Sequence, residues 1–71
     1  MRPKRGEFFH FSKDNTVYLV LGYAKMFGNE EHDFINLKRI KDSTTITLSA
    51  DLFLLYIQAE KFVKDNVLVT R

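Results

Sequence analysis

The residues best suited to chemistry are an acidic run that contains a histidine, together with a second histidine in an earlier segment. Glu30, Glu31, His32 and Asp33 are consecutive, and His10 lies nearer the N-terminus. Imidazole nitrogens and carboxylate oxygens bind divalent metals, and metal sites built on histidine show characteristic ligand spacings. The two histidines here match no such spacing. We therefore expect a solvated acidic turn and no metal site.

The sequence carries no catalytic signature. No serine, histidine and acid are arranged in a known triad motif, and no carboxylates are paired in an apolar setting. There is no cysteine to act as a nucleophile or form a disulfide, and the three glycines form neither a phosphate-binding loop nor a dinucleotide fingerprint. We therefore expect a protein that is not an enzyme and uses no cofactor.

Length and charge predict one small domain with a basic N-terminal arm. The chain has 71 residues, a net charge of +2 and no apolar run long enough for a membrane span. Arg2, Lys4 and Arg5 supply three positive charges, so the remainder holds eight basic and nine acidic side chains. We predict a flexible basic arm over residues 1–6 and a single domain over residues 7–71, in a soluble, cytoplasmic protein.

Alternation of apolar and polar residues predicts four strands before the last third of the chain. Gly22 lies inside the longest of them, where a glycine is typical of a bend or bulge. Apolar residues on both faces of that strand indicate a central position in the sheet. The predicted strands are Glu7–Phe11, Thr16–Phe27, Asp33–Lys41 and Thr44–Leu48, with a turn at residues 28–31.

The stretch from Ser49 to Asn66 has helical periodicity, with Ser49 as N-cap and Asn66 as a left-handed stop. We expect a helix over about residues 50–65, and Val67–Thr70 is β-rich enough for a short final strand. The fold class is α+β: a bent antiparallel sheet, or small barrel, of four to five strands with one C-terminal helix. The stripe expected to face the sheet comprises Leu52, Leu55, Tyr56, Ala59, Phe62 and Val63.

The segment from Gly6 to Ala24 resembles the opening of a short bacterial and phage family of unknown function. The matching positions are Gly6, Phe8 in place of a tyrosine, His10, Phe11, Tyr18, Val20, Leu21, Gly22 and Ala24. The sequence departs from the family pattern at Phe9, which replaces an arginine, and in a longer first turn. The resemblance covers about a quarter of the chain, implies a small SH3-like barrel, and implies no known activity.

Three further apolar residues of the helical stretch lie off the main stripe: Phe53, Leu54 and Ile57. They make the first two helical turns apolar nearly all round, which is typical either of a helix buried on several sides or of one that presents a second patch to another chain. The second reading predicts a protein-binding module that forms a homodimer through these residues. The composition is also similar to that of small phage proteins that inhibit host factors.

The alternative prediction is nucleic-acid binding. The arm residues Arg2, Lys4 and Arg5 and the basic strand residues Lys38, Arg39 and Lys41 lie among aromatic residues in the sequence. Cations of this kind bind phosphates while aromatic rings stack on bases. Such binding would weaken steeply with salt.

Overall fold

Among the described residues, five strands form an open antiparallel sheet, and one helix covers one of its faces. The computed structural model describes the backbone of residues 2–26 and 29–65 and the side chains of residues 2–25 and 33–65. The strands are β1 (Phe8–Phe11), β2 (Val17–Met26), β3 (Asn29–Arg39), β4 (Thr44–Ser49) and β5 (Phe62–Lys64), and the helix α1 (Ala50–Gln58) connects β4 to β5. The strand order is β4-β3-β2-β1-β5.

The predicted α+β class is confirmed, and of the two predicted sheet forms the described strands adopt the open one. The first four strands form a meander, and β4 and β5 are the edges of the sheet formed by the described residues. β2 is the central strand, as its apolar faces predict. Its register with β3 shifts between Val20 and Gly22, which is the irregularity expected at that glycine.

Two predicted boundaries are wrong. β3 begins at Asn29, so most of the turn predicted at residues 28–31 belongs to a strand. The helix ends at Gln58 rather than near residue 65, and the end of the predicted helix forms β5, which pairs with β1. The strand predicted at Val67–Thr70 lies outside the described residues.

A Schellman motif ends the helix. Glu60 has a φ of +62°, its N–H bonds to the Ile57 carbonyl, and the Lys61 N–H bonds to the Tyr56 carbonyl. The Ser12 hydroxyl donates to the Glu60 carbonyl at 2.9 Å, which ties this turn to the end of β1. A glutamate at a position that favours glycine gives no sequence signal, so the helix end could not be predicted.

The core lies between α1 and one face of the sheet, the helix-covered face. Direct cross-strand neighbours share a face, so the pairs Val20 with Leu37 and Ile35 with Leu48 place the inward side chains. The buried core cluster comprises Phe9, Tyr18, Val20, Ile35, Leu37, Phe53 and Phe62. The opposite face, the open face, carries the side chains between them, including Phe8, Leu19 and Lys38.

Residues 2–6 lie against β2, and Arg2, Pro3 and Lys4 line a pocket together with Ile57 of α1. Pro3 is buried, and its carbonyl accepts a 2.6 Å hydrogen bond from the Tyr23 hydroxyl. The Gly6 N–H bonds to the Val20 carbonyl at 2.9 Å. The segment predicted to be a flexible arm therefore makes specific contacts with β2.

Candidate protein-binding surface

Phe53, which was predicted to lie at an interface, is the central residue of the core. Its side chain is 0% exposed, and its ring meets those of Phe9 and Phe62 edge-on at 5.3 and 4.9 Å between centroids. A residue with no exposed surface cannot contact a partner while the domain stays folded. The interface prediction for Phe53 is therefore corrected. The other two residues of that prediction, Leu54 and Ile57, are half-buried.

The exposed side of the helix is the stripe that was predicted to face the sheet. Leu55 is 59% exposed and Leu52 is 38% exposed. With Tyr56, which is half-buried, they lie at helical spacings that place all three along one flank. We call Leu52, Leu55 and Tyr56 the α1 flank. The second apolar patch predicted for the helix thus exists, but other residues form it.

An open cleft lies beside the α1 flank on the helix-covered face. Its volume is about 330 Å³, and it is lined by Phe11, Tyr18, Ile46, Leu48, Tyr56, Lys61 and Phe62. Because α1 must carry the chain from one edge strand to the other, it crosses the strands, and the cleft runs alongside it from β4 to β5. Four of the seven lining residues are aromatic and only one is charged. The cleft and the flank together form one apolar surface that shares Tyr56.

The structure does not bring the basic residues of the alternative prediction into one patch. Arg2 bonds to the Asp33 carboxylate at 2.9 Å and lies 4.3 Å from the centre of the Tyr23 ring. Arg39 pairs with Asp42 at the other end of β3. Asp33 and Arg39 are six residue steps apart along an extended strand, a distance of about 20 Å. Arg2 and Arg39 therefore lie at opposite ends of β3.

The three cations of the predicted basic strand also lie on different parts of the surface. In the β2–β3 register, Arg39 lies opposite Tyr18, so its side chain is on the helix-covered face. Lys38 lies opposite Leu19, so its side chain is on the open face. Lys41 is exposed in the turn after β3, and Arg5 is exposed in the arm. The Lys4 backbone N–H bonds to the Glu7 carboxylate.

Two carboxylates near the arm are held in their ionised form. Hydrogen bonds from Lys25 and then Arg2 lower the pKa of Asp33. The Lys4 backbone N–H, followed by Lys64, lowers the pKa of Glu7. Burial raises the pKa of the Tyr23 hydroxyl, against the influence of Arg2. The Asp33 and Glu7 shifts follow from hydrogen bonds that these carboxylates accept from both arm and strand residues.

The metal-ligand candidates do not converge where they are described. His10 pairs with Asp65 and lies on the open face, whereas Asp33 lies on the helix-covered face with Arg2 and Lys25. The side chains of Glu30, Glu31 and His32 lie outside the described residues. Within the described part of the chain, no three histidine or acidic side chains group closely enough to hold a metal ion.

No family model, curated protein or solved structure matches the chain. In the described ranges, no helix has the length and apolar character needed to cross a membrane.

Sequence reasoning missed the exposed leucines and the cleft. Both helical stripes are apolar, so periodicity alone does not tell which of them faces the sheet. Apart from Lys61 in the turn after α1, the cleft residues come from β1, β2, β4, β5 and the helix, and each of these fits a core position in its own segment. The cue available in the sequence was the number of apolar residues in α1, which exceeds what one buried face requires.

Proposed function

We propose that this chain is a small non-enzymatic protein-binding module that binds through the α1 flank and the adjoining cleft, and that it associates with itself through this surface. The observation that carries the proposal is the 59% exposure of Leu55, on the side of the helix opposite the fully buried Phe53. A host protein, the kind of partner that a similarity to phage inhibitors implies, would use the same surface.

Several features support a protein partner over a nucleic acid. Exposed leucines beside an aromatic-lined cleft resemble the apolar anchors that concentrate binding energy in protein interfaces. The cleft has one charged lining residue, Lys61. Phosphate binding favours clustered cations, whereas Arg2 and Arg39 are each engaged by an aspartate and lie at opposite ends of β3.

Light scattering over a range of protein concentrations tests the proposal with the wild-type chain and Leu55→Asp. We expect the wild type to reach a dimer mass and Leu55→Asp to stay monomeric, because a carboxylate would have to be buried in the apolar interface. Leu55 contributes little to the core, so the circular dichroism spectrum of the variant should match that of the wild type.

Gln58→Glu is the matched control, because it adds the same charge at an exposed position of the same helix without removing an apolar side chain. It should dimerise as the wild type does. A wild-type chain that stays monomeric throughout, or a Leu55→Asp variant that dimerises equally well, would contradict self-association through this surface. Salt-sensitive binding of a random-sequence oligonucleotide, lost on mutation of the arm cations, would instead favour the nucleic-acid alternative.

A further inference from the structure

The outer edge of β4 is a free sheet edge of six residues in the described part of the chain. β4 pairs with β3 through six consecutive residue pairs, from Thr44 with Arg39 to Ser49 with Phe34, without a register shift. Within residues 2–26 and 29–65, no strand neighbours its other side. Among the described residues, β4 makes no backbone–backbone hydrogen bond outside the sheet. Apart from the Thr44 N–H, which donates to the Asp42 carboxylate at 3.0 Å, the outward N–H and C=O groups of β4 are therefore available to another strand.

β4 lacks the features that usually protect an edge strand from pairing. Proteins protect edges with charged residues, proline, bulges or very short strands. β4 has the sequence TTITLS, with no charge and no proline, and its pairing has no bulge. The other edge, β5, has only three residues and includes Lys64. β5 is thus protected by its short length and its charge, whereas β4 is not. This difference is expected if β4 alone forms an interface.

We propose that two copies of this chain pair along β4, antiparallel about a twofold axis at Thr47, and join their sheets into one of ten strands. The inference rests on the proposed protein-binding function and adds the partner strand and its register. Main-chain hydrogen bonds supply the contact, as in other cases of strand addition to a sheet edge.

Symmetry and side-chain direction select this register. A twofold axis perpendicular to the sheet keeps both helices on the same side of the joined sheet. Residues directly opposite each other then share a face. This is possible only if the axis passes midway between the two copies of one residue. With the axis at Thr47, Ile46 lies opposite the partner's Leu48 on the helix-covered face, and Thr45 lies opposite the partner's Ser49 on the open face. Apolar pairs and hydroxyl pairs are both stabilising across strands.

The neighbouring register is less favourable. With the axis at Ile46, each Leu48 would lie opposite the partner's Thr44, and the helix-covered face would have one apolar pair, Ile46 with the partner's Ile46, instead of two. Both centres keep five residue pairs and pair hydroxyl residues on the open face, but only the centre at Thr47 pairs apolar side chains throughout the helix-covered face. It therefore fits β4 better than the alternative.

The α1 flank continues the same interface. α1 begins at Ala50, directly after β4, and Leu52 lies in its first turn. Antiparallel pairing brings the Ser49 end of each β4 beside the partner's Thr45, so the first turns of both helices lie over the joined strands. No lysine, arginine or glutamate occurs from Thr44 to Gln58, and Asp51 is the only charge. Self-pairing therefore meets little like-charge repulsion.

A cysteine at the axis tests the register directly, because the chain has no other cysteine. Opposed Cα atoms in an antiparallel pair are about 4.5–5.5 Å apart, within the range of about 4.4–6.8 Å that a disulfide spans. Thr47→Cys should therefore form a covalent dimer under mild oxidation. Thr45→Cys is the control, since four residues separate its two copies by about 13 Å along the strands, and it should not cross-link.

Thr47→Lys provides a second test that does not depend on oxidation. Thr47 is exposed, so the monomer should fold. Two like charges would lie directly opposite at the axis, and we expect dimerisation to weaken at least about tenfold, equivalent to about 1.4 kcal/mol.

The outcomes separate the two proposals. A Thr47→Cys cross-link, absent in Thr45→Cys, supports the register. A wild-type dimer that is sensitive to Leu55→Asp but gives no Thr47→Cys cross-link, or equal cross-linking at both positions, overturns the β4 inference and leaves the proposed function standing. A specific cross-link in a dimer indifferent to Leu55→Asp overturns the α1 flank and supports β4. A wild-type chain that stays monomeric overturns both.

Discussion

Replacing Phe53 by alanine should remove a large part of the stability of this domain. Phe53 is fully buried and makes edge-on ring contacts with Phe9 and Phe62. Phe-to-Ala changes in protein cores cost about 3–5 kcal/mol. A domain of 71 residues has a typical free energy of unfolding of about 4–11 kcal/mol. The variant should therefore melt at least about 12 °C lower than the wild type.

The matched change is Leu55→Ala on the same helix. Leu55 is 59% exposed, and alanine is the better helix former, so the free energy of unfolding should change by no more than about 0.5 kcal/mol. Urea unfolding followed by circular dichroism measures both variants. Two protein concentrations are needed, because association adds a concentration-dependent term to the apparent stability.

This pair of variants tests which side of α1 faces the sheet. If Leu55→Ala were as destabilising as Phe53→Ala at low protein concentration, the orientation of the helix described here would be wrong. Phe53→Leu keeps the comparison informative if Phe53→Ala does not fold. It retains most of the apolar volume but loses both ring contacts, so we expect a loss of about 1–2 kcal/mol.

Two further predictions concern the arm and the helix end. The pKa of Asp33 is lowered in the folded state by Lys25 and then Arg2, so its stabilising contribution is present above the usual aspartate pKa of about 3.9 and is lost as pH falls through the lower folded value. An NMR titration should therefore show the Arg2 and Tyr23 signals shifting with the Asp33 carboxyl in acid, and Asp33→Asn should abolish this step; an unchanged titration in that variant would refute the pairing. Glu60→Gly should raise the free energy of unfolding by about 0.5–1 kcal/mol, because glycine adopts the left-handed φ of +62° without the steric cost that glutamate bears. Glu60→Ala, which keeps that cost, is the control in urea unfolding, and a destabilised Glu60→Gly would contradict the helix-end geometry.

The strand pattern of the N-terminal two thirds was largely predictable from local sequence. Period-two alternation identified all four strands, and the inward direction of Ile35, Leu37, Ile46 and Leu48 follows from it. Gly22 indicated the irregularity in β2. The start of β3 was misplaced because Asn29 and the residues after it are polar and resemble a turn, yet they pair as a strand.

The helix shows where local pattern is insufficient. Ser49 predicted the helix start, and its hydroxyl accepts the Leu52 N–H as expected of an N-cap. The continuous periodicity up to residue 65 concealed the helix end, because a tertiary contact from Ser12 helps to hold the left-handed turn at Glu60. Residues counted in the inner stripe then became strand β5.

The sequence by itself determined the α+β class, the four consecutive strands, the N-cap and the excess of apolar residues on the helix. Only the tertiary structure decided which of those apolar residues are exposed. Both stripes of α1 have similar hydrophobicity, so the choice depends on which ring fits between Phe9 and Phe62, and Phe53 fits. That packing turns Leu52 and Leu55 outward, and it is the physical reason that the candidate binding surface could not be located from the sequence.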